Sequence, residues 1–230
     1  LGAAALRGDI ADAAALERGV AEADATVHAA AMVTGRASFE AYRAANVAAT
    51  AAIAAAAARH GKRLVYLSSV AAYGRRDTYA GGPGSVSEDF GLDRPPYEGD
   101  YYARSKRDAE LALWRVAEET GLAVAALRPC VIYGEGDRQF APRLARALRL
   151  TRGVAPLIGG GRNLLSVVYA GNVAAAVVAA LDHPEASGAC NVANDGGITT
   201  RAFCERLAAG LGLELAPVSV PAALAAVGAF

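Results

Sequence analysis

The stretch 63-RLVYLSS-69 decides the fold. Its apolar residues run together without polar alternation and end on two hydroxyls, which fits a short strand covered on both faces. The runs 25-ATVHAAA-31 and 122-LAVAALRP-129 read the same way. Between them lie 39-FEAYRAANVAATAAIAAAAARHG-61 and 102-YARSKRDAELALWRVAEETG-121. Both are rich in helix formers, and each closes on a glycine suited to a helix C-terminus. Strands alternating with helices of this length predict crossover connections and a parallel sheet, hence an α/β fold.

After Tyr133 the rhythm changes. A basic helix 138-RQFAPRLARALRL-150 leads to the glycine-rich loop 159-GGGRN-163, a strand 165-LSVVY-169 and a helix 171-GNVAAAVVAALDH-183. A strand 189-ACNVA-193 and a helix 200-TRAFCERLAAGLG-212 follow. The expected organisation is a main domain over 1–133 and a smaller lobe over 134–230, with 164–193 returning partly to the main domain. The closing segment 217-PVSVPAALAAVGAF-230 is expected to be a terminal helix packed on the core. The segment 74-GRRDTYAGGPGSVSEDFGLDRPPYEGD-100 reads as a long loop, and long loops in compact domains are usually functional or mobile. It is a candidate wall or lid.

The bulk numbers narrow the partners. The 230 residues carry a formal net charge of zero, with no basic block, so a nucleic-acid partner is not expected. Alanine is the largest part of the 54% hydrophobic fraction, and polar or charged residues interrupt every long apolar run, so no membrane span is expected. Cys130, Cys190 and Cys204 form neither a zinc pattern nor a disulfide framework, which suits a reducing cytosol and a cytoplasmic location. With three histidines and no ligand spacing, no metal site is expected.

The stretch 101-YYARSKRDAE-110 carries chemistry. If Tyr102 opens a helix, Lys106 lies one turn on along the same face. An ammonium beside a phenol favours phenolate and lowers its pKa towards working pH, so the phenol can exchange a proton with a substrate hydroxyl or carbonyl. Alone, the motif reads more readily as an ordinary helix start with a surface lysine. Two other pieces fit it. Ser68 and Ser69 end the strand at 63–67, where ligands of open parallel sheets bind, and a serine there can donate to a substrate oxygen. Another strand end, 127-LRPCVIYGEGD-137, puts Pro129 by the same crevice.

In this order, 8-GDI-10, 28-HAAA-31, 46-NVAAT-50, 66-YLSSVAAYG-74, 102-YARSK-106, 128-RPCVIYGEGD-137 and 167-VVYAGNVAAA-176 resemble the extended short-chain dehydrogenase/reductases, the NAD-dependent epimerase/dehydratase family. The resemblance implies a Rossmann-like doubly wound parallel sheet with a smaller C-terminal substrate lobe. It marks Ser69, Tyr102 and Lys106 as catalytic. Tyr102 would be the acid/base, Ser69 would hold the substrate oxygen, and Lys106 would lower the tyrosine pKa and grip the nicotinamide ribose. Asp9 and Ile10 match positions at the adenine end of NAD or NADP, and Ala29, Ala30, Ala31 and Val33 the turn along its phosphates and ribose. Pro129 and Ile132 fall where the family backs the nicotinamide. Asn46 matches a helix asparagine near the site, taken as mainly structural. His28 is read as a satisfied strand-end histidine.

The family's opening strand and glycine-rich turn, which seat the pyrophosphate on a helix N-terminus, have no counterpart in these residues. Neither 81-GGPG-84 nor 159-GGGRN-163 replaces them. Either the opening precedes Leu1 in a longer protein or the chain lacks half the cofactor cradle; a leucine start inside the pattern favours the first. Val70 and Ala71 after Ser69 disfavour dehydration, and Val131 stands where sugar-nucleotide epimerases often carry asparagine. The wording 169-YAGNVA-174 looks more like the 3β-hydroxysteroid dehydrogenase and dihydroflavonol reductase branches. Against that, Arg138, Arg143 and Arg162 could clamp a diphosphate.

The leading expectation is therefore an NAD(P)-dependent oxidoreductase interconverting a secondary alcohol and a ketone. A nucleotide-sugar 4-epimerase is the alternative within enzymes, and a cofactor-binding sensor the alternative outside them. A homodimer through residues 39–60 and 102–120 is also expected.

Overall fold

In the computed structural model the three apolar runs are strands: β1 (Ala25–His28), β2 (Arg63–Leu67) and β3 (Val124–Pro129). Residues 5, 7–33, 37–74, 86–194 and 196–221 are described. The chain divides into two units, Leu1–Pro129 with Ala174–Val192 and Cys130–Val173 with Ala193–Phe230.

In the first unit the strands pair in parallel, and the strand Gly188–Val192 joins them to give the order β1, β2, β3, 188–192. β3 lies inside this sheet and is buried along its whole length, which explains its unbroken apolar run. The connections are helical. α1 (Ala13–Ala21) starts on Asp12, whose carboxylate accepts from the amides of Ala14 and Ala15. The 39–59 segment is one continuous helical path: α2 (Phe39–Tyr42), a π-helical turn (Arg43–Ala48) and α3 (Ala49–Arg59). α4 (Tyr101–Thr120) starts on Asp100, which accepts from the Ala103 amide at 3.0 Å, and ends on Gly121 in the left-handed region.

The alanines have a packing role. α3 packs against both α1 and α4. Ala54, Ala57 and Ala109 are fully buried where these helices and the sheet meet Ile53, Leu64, Tyr66, Leu113 and Val124. Small side chains let backbones approach closely, and the larger residues fill the remaining space at interior density. At the far side of β2, the Arg63 guanidinium donates to the carbonyls of Ala180, His183, Pro184 and Ala186 at 2.6–3.1 Å. It thereby caps the end of the helix Ala170–Asp182.

The second unit is built from short pairs. Val131–Tyr133 runs parallel to Val167–Tyr169, and Leu164–Leu165 antiparallel to Ile198–Thr199. The helices Phe140–Leu150 and Thr200–Gly210 enclose Leu148, Ala155, Leu157, Cys204 and Ala208. The expectation for the chain's end needs correction over its first residues. Ala216–Val220 is a strand, parallel to Val154–Ile158, and not the start of a helix. Pro217 and β-branched Val218 and Val220 disfavour helix, and the pairing covers Ala155 and Leu157 from a distance in sequence that local pattern does not reveal. The rest of the expected helix, 222–230, lies outside the described residues, as does 81-GGPG-84. Among the described residues no helix is long and apolar enough to cross a membrane.

Candidate active site

Two elements meet at the end of β2. The Asp100 cap fixes the start of α4, so Tyr102 lies in its first turn, Lys106 one turn later and Glu110 one turn beyond that. After β2, Ser68 is buried, and Ser69 caps a 3₁₀ turn (Val70–Tyr73) by accepting from the Ala71 amide at 3.2 Å. The Ser69 side chain lies close enough to the Tyr102 phenol to act on its titration. The Lys106 ammonium, 2% exposed, donates to the Leu67 carbonyl at 2.6 Å and sits 4.4 Å from the centre of the Tyr66 ring. The structure thus brings Ser69, Tyr102 and Lys106 to one strand end.

The electrostatics differ from the simple expectation. Burial pushes the Tyr102 phenol above its ordinary value; the Ser69 side chain works against this, and the Asp100 carboxylate adds to the rise. Lys106 is not what tunes it, because its ammonium is turned to the Leu67 carbonyl. Lys106 itself is lowered to about 8, chiefly by burial, with the Glu110 charge opposing the fall. His28 is pushed down to about 4, first by burial and then by the Lys106 charge, so it is neutral at pH 7. It satisfies its Nε2 on Thr50 Oγ1 at 3.0 Å and stacks on Tyr66 with ring centres 5.3 Å apart.

Asn46 ties the site together. Its side chain accepts from the Met32 amide at 2.7 Å and donates to the Met32 carbonyl at 3.0 Å and to Ser105 Oγ at 2.8 Å. The turn after β1 is thereby fastened to α4. Asn46 stands in the π-helical turn, a deviation common at functional sites. Thr50 Oγ1 donates to the Asn46 carbonyl at 2.6 Å.

Asp9, Ile10, Ala29 and Ala30 line a cavity of about 440 Å³ in the first unit, with walls from Leu16, Val20, Val27 and Ile53. Aliphatic walls and one exposed carboxylate suit the adenosine end of a dinucleotide, a planar ring with hydroxyls to be accepted. The residues present fit that part of the cofactor. Ala31 and Val33 follow the turn but do not line the cavity, and Val33 is exposed. Pro129 is buried at the end of β3, while Ile132 is exposed on the strand Val131–Tyr133 of the second unit. Arg138, Arg143 and Arg162 are all exposed. The described part of the long loop is fastened down: Phe90 and Leu92 pack on Tyr73, and Arg107 donates to the Leu92 carbonyl at 2.7 Å.

Sequence reasoning passed over a buried polar network beneath the site. Glu110, with no exposure, accepts from Ser68 Oγ at 2.5 Å, from Trp114 Nε1 at 3.1 Å and from Arg128 Nε at 3.0 Å and Nη2 at 2.5 Å. Arg128 Nη1 donates to the Tyr73 hydroxyl at 2.7 Å, which donates to Asn191 Oδ1 at 2.8 Å. The available signal was the spacing: Glu110 follows Lys106 by the same four residues that separate Lys106 from Tyr102.

Several known proteins are similar to this chain. A 2-alkyl-3-oxoalkanoate reductase from Stenotrophomonas maltophilia is 36% identical over 193 residues, 83% of this chain and 56% of that protein. A 3beta-hydroxysteroid-dehydrogenase/decarboxylase from Arabidopsis thaliana is 31% identical over 173 residues, 71% of this chain and 38% of that protein. The chain therefore spans only part of the length of these relatives. Among solved structures, the UDP-glucose 4-epimerase of Thermus thermophilus, in complex with NAD, superposes with a TM-score of 0.71 at 25% identity, over 94% of this chain and 71% of that one. The model of the NAD dependent epimerase/dehydratase family matches residues 3–194, and the chain belongs to that family.

Proposed function

We propose that the protein is an NAD(P)-dependent oxidoreductase that interconverts a secondary alcohol and a ketone. The observation that carries this reading is the meeting of Ser69, Tyr102 and Lys106 at the end of β2. A bound nicotinamide dinucleotide supplies or takes up the hydride at the substrate carbon. Tyr102 Oη gives the proton to the carbonyl oxygen in reduction and receives it in oxidation. Ser69 donates to that oxygen as negative charge develops on it. Lys106 uses one ammonium hydrogen on the Leu67 carbonyl and keeps two for the cofactor's ribose hydroxyls. Asp9, Ile10, Ala29 and Ala30 hold the adenosine end, Asn46 fixes the turn through Ala31 to Val33, and Pro129 backs the nicotinamide. The reductase and hydroxysteroid dehydrogenase among the relatives support an apolar ketone or alcohol as substrate.

The likeness to a UDP-glucose 4-epimerase supports a second reading, nucleotide-sugar epimerisation, in which hydride leaves and returns within one turnover. Absorbance of the reduced cofactor separates the two. The oxidoreductase changes it in proportion to product formed from a β-keto acid or sterol-like ketone. Interconversion of nucleotide sugars with no net change would replace the first reading with the second. A cytoplasmic homodimer joined through residues 39–60 and 102–120 belongs to the same proposal; a monomer mass in light scattering would remove the dimer from it.

A further inference from the structure

We propose that Glu110 is a positioning residue for the Ser69, Tyr102 and Lys106 set: its buried carboxylate clamps the end of β2 and supplies the negative charge that keeps Lys106 an ammonium on the Leu67 carbonyl. The inference rests on the reading of those three residues as the reacting groups.

The geometry runs through three elements. α4 presents Tyr102, Lys106, Glu110 and Trp114 at successive four-residue steps, so one helix face carries both the reacting groups and the carboxylate behind them. Across from it, β2 ends in Leu67, Ser68 and Ser69. Leu67 offers its carbonyl to Lys106 and Ser68 its hydroxyl to Glu110 at 2.5 Å, while Ser69 acts on the Tyr102 phenol. Two consecutive residues, Leu67 and Ser68, are thus each held by a different residue of α4. β3 completes the arrangement, with Arg128 on Glu110 through Nε and Nη2. Ser68, Glu110 and Arg128 are at most 4% exposed, so the carboxylate is desolvated and every contact it makes is short-range and directional.

The charges around Lys106 make the second half of the case. From β1 it faces His28, which is neutral at pH 7; from β2 it faces the Tyr66 ring and the Leu67 carbonyl; on its own helix it faces Glu110. Glu110 is the negatively charged group acting on it, and it opposes the effect of burial. Without that charge a buried ammonium tends to shed its proton, and a neutral amine would hold the Leu67 carbonyl weakly.

In the protein labelled with ¹³C at lysine Cε, the signal that disappears in Lys106→Arg is assigned to Lys106. A pH titration by NMR then reads Lys106 directly, whether or not the protein turns over substrate. In wild type the Lys106 midpoint is expected near 8. In Glu110→Gln it should fall by about one unit, a tenfold weaker hold on the proton. Because Glu110→Gln leaves Arg128 buried without its partner, the paired variant Glu110→Gln/Arg128→Met is titrated beside it; removing both charges of a buried pair is often close to neutral for stability. Arg128→Met also removes the cation paired with Glu110, so a smaller downward displacement is expected there. A Lys106 midpoint that stays at the wild-type value in either folded variant overturns the proposal. A wild-type protein with no oxidoreductase activity would instead remove the functional reading, and the titration would still decide whether Glu110 controls Lys106.

Discussion

Replacing His28 by Gln should make the protein markedly less sensitive to acid. His28 is 3% exposed at the end of β1. Thr50 Oγ1 spends its own hydrogen on the Asn46 carbonyl, so it can only accept from His28, which therefore carries its hydrogen on Nε2. Protonating the ring would bury a second cation near the Lys106 ammonium, which is why its titration is lowered from 6.5 to about 4. The sign follows from linkage. Between those two values the unfolded chain binds the proton more readily than the folded one, so stability present above pH 6.5 is lost as pH falls through 4. At about 1.4 kcal/mol per unit of displacement, this one group removes roughly 2 kcal/mol between about pH 7 and pH 4.5. A glutamine amide keeps a donor for Thr50 and does not titrate. Urea unfolding of wild type and His28→Gln at the two pH values measures the difference. Wild type should lose about 2 kcal/mol more than the variant. Equal losses would mean that His28 is not held neutral by burial, and the description of the β1 end would be wrong.

Three further substitutions test the packing. Gly153 has φ +90°, and a Cβ there would lie 2.1 Å from the Glu214 carbonyl oxygen, so Gly153→Ala should cost more than about 1 kcal/mol in urea unfolding. Arg63→Met strips four carbonyls at the end of the helix Ala170–Asp182 of their donor; a loss of about 1–3 kcal/mol is expected, with amide exchange quickening first at 183–186. Asn46→Ala removes the side chain that bonds the Met32 amide and carbonyl, while Ser105 Oγ keeps the Tyr102 carbonyl, and should cost about 1–3 kcal/mol by the same assay.

The parallel sheet was legible because each of its central strands is a short apolar run with no alternation, and because Gly61 and Gly121 do take up positive φ where the helices close. The pairing of Ala216–Val220 with Val154–Ile158 was not, since both runs carry a proline and the partners lie far apart along the chain. In the site, the four-residue spacing correctly placed Tyr102 and Lys106 on one helix face. What the spacing could not reveal is where the ammonium points. The Leu67 carbonyl outcompetes the phenol for Lys106, and burial, acting over many residues at once, raises Tyr102 where a pairwise argument lowers it. Glu110 stayed hidden for a related reason: a glutamate on a helix reads as a solvated charge until Arg128, 18 residues later, returns on β3 to meet it.

The central claim is that Tyr102 is the proton-transferring group of a dinucleotide-dependent oxidoreductase. The direct test is to compare wild type and Tyr102→Phe for dinucleotide binding by calorimetry and for turnover of a ketone substrate by cofactor absorbance. The account predicts turnover reduced by at least about a hundredfold, the usual contribution of a positioned acid or base, with dinucleotide affinity nearly unchanged. Turnover in Tyr102→Phe equal to wild type would contradict it.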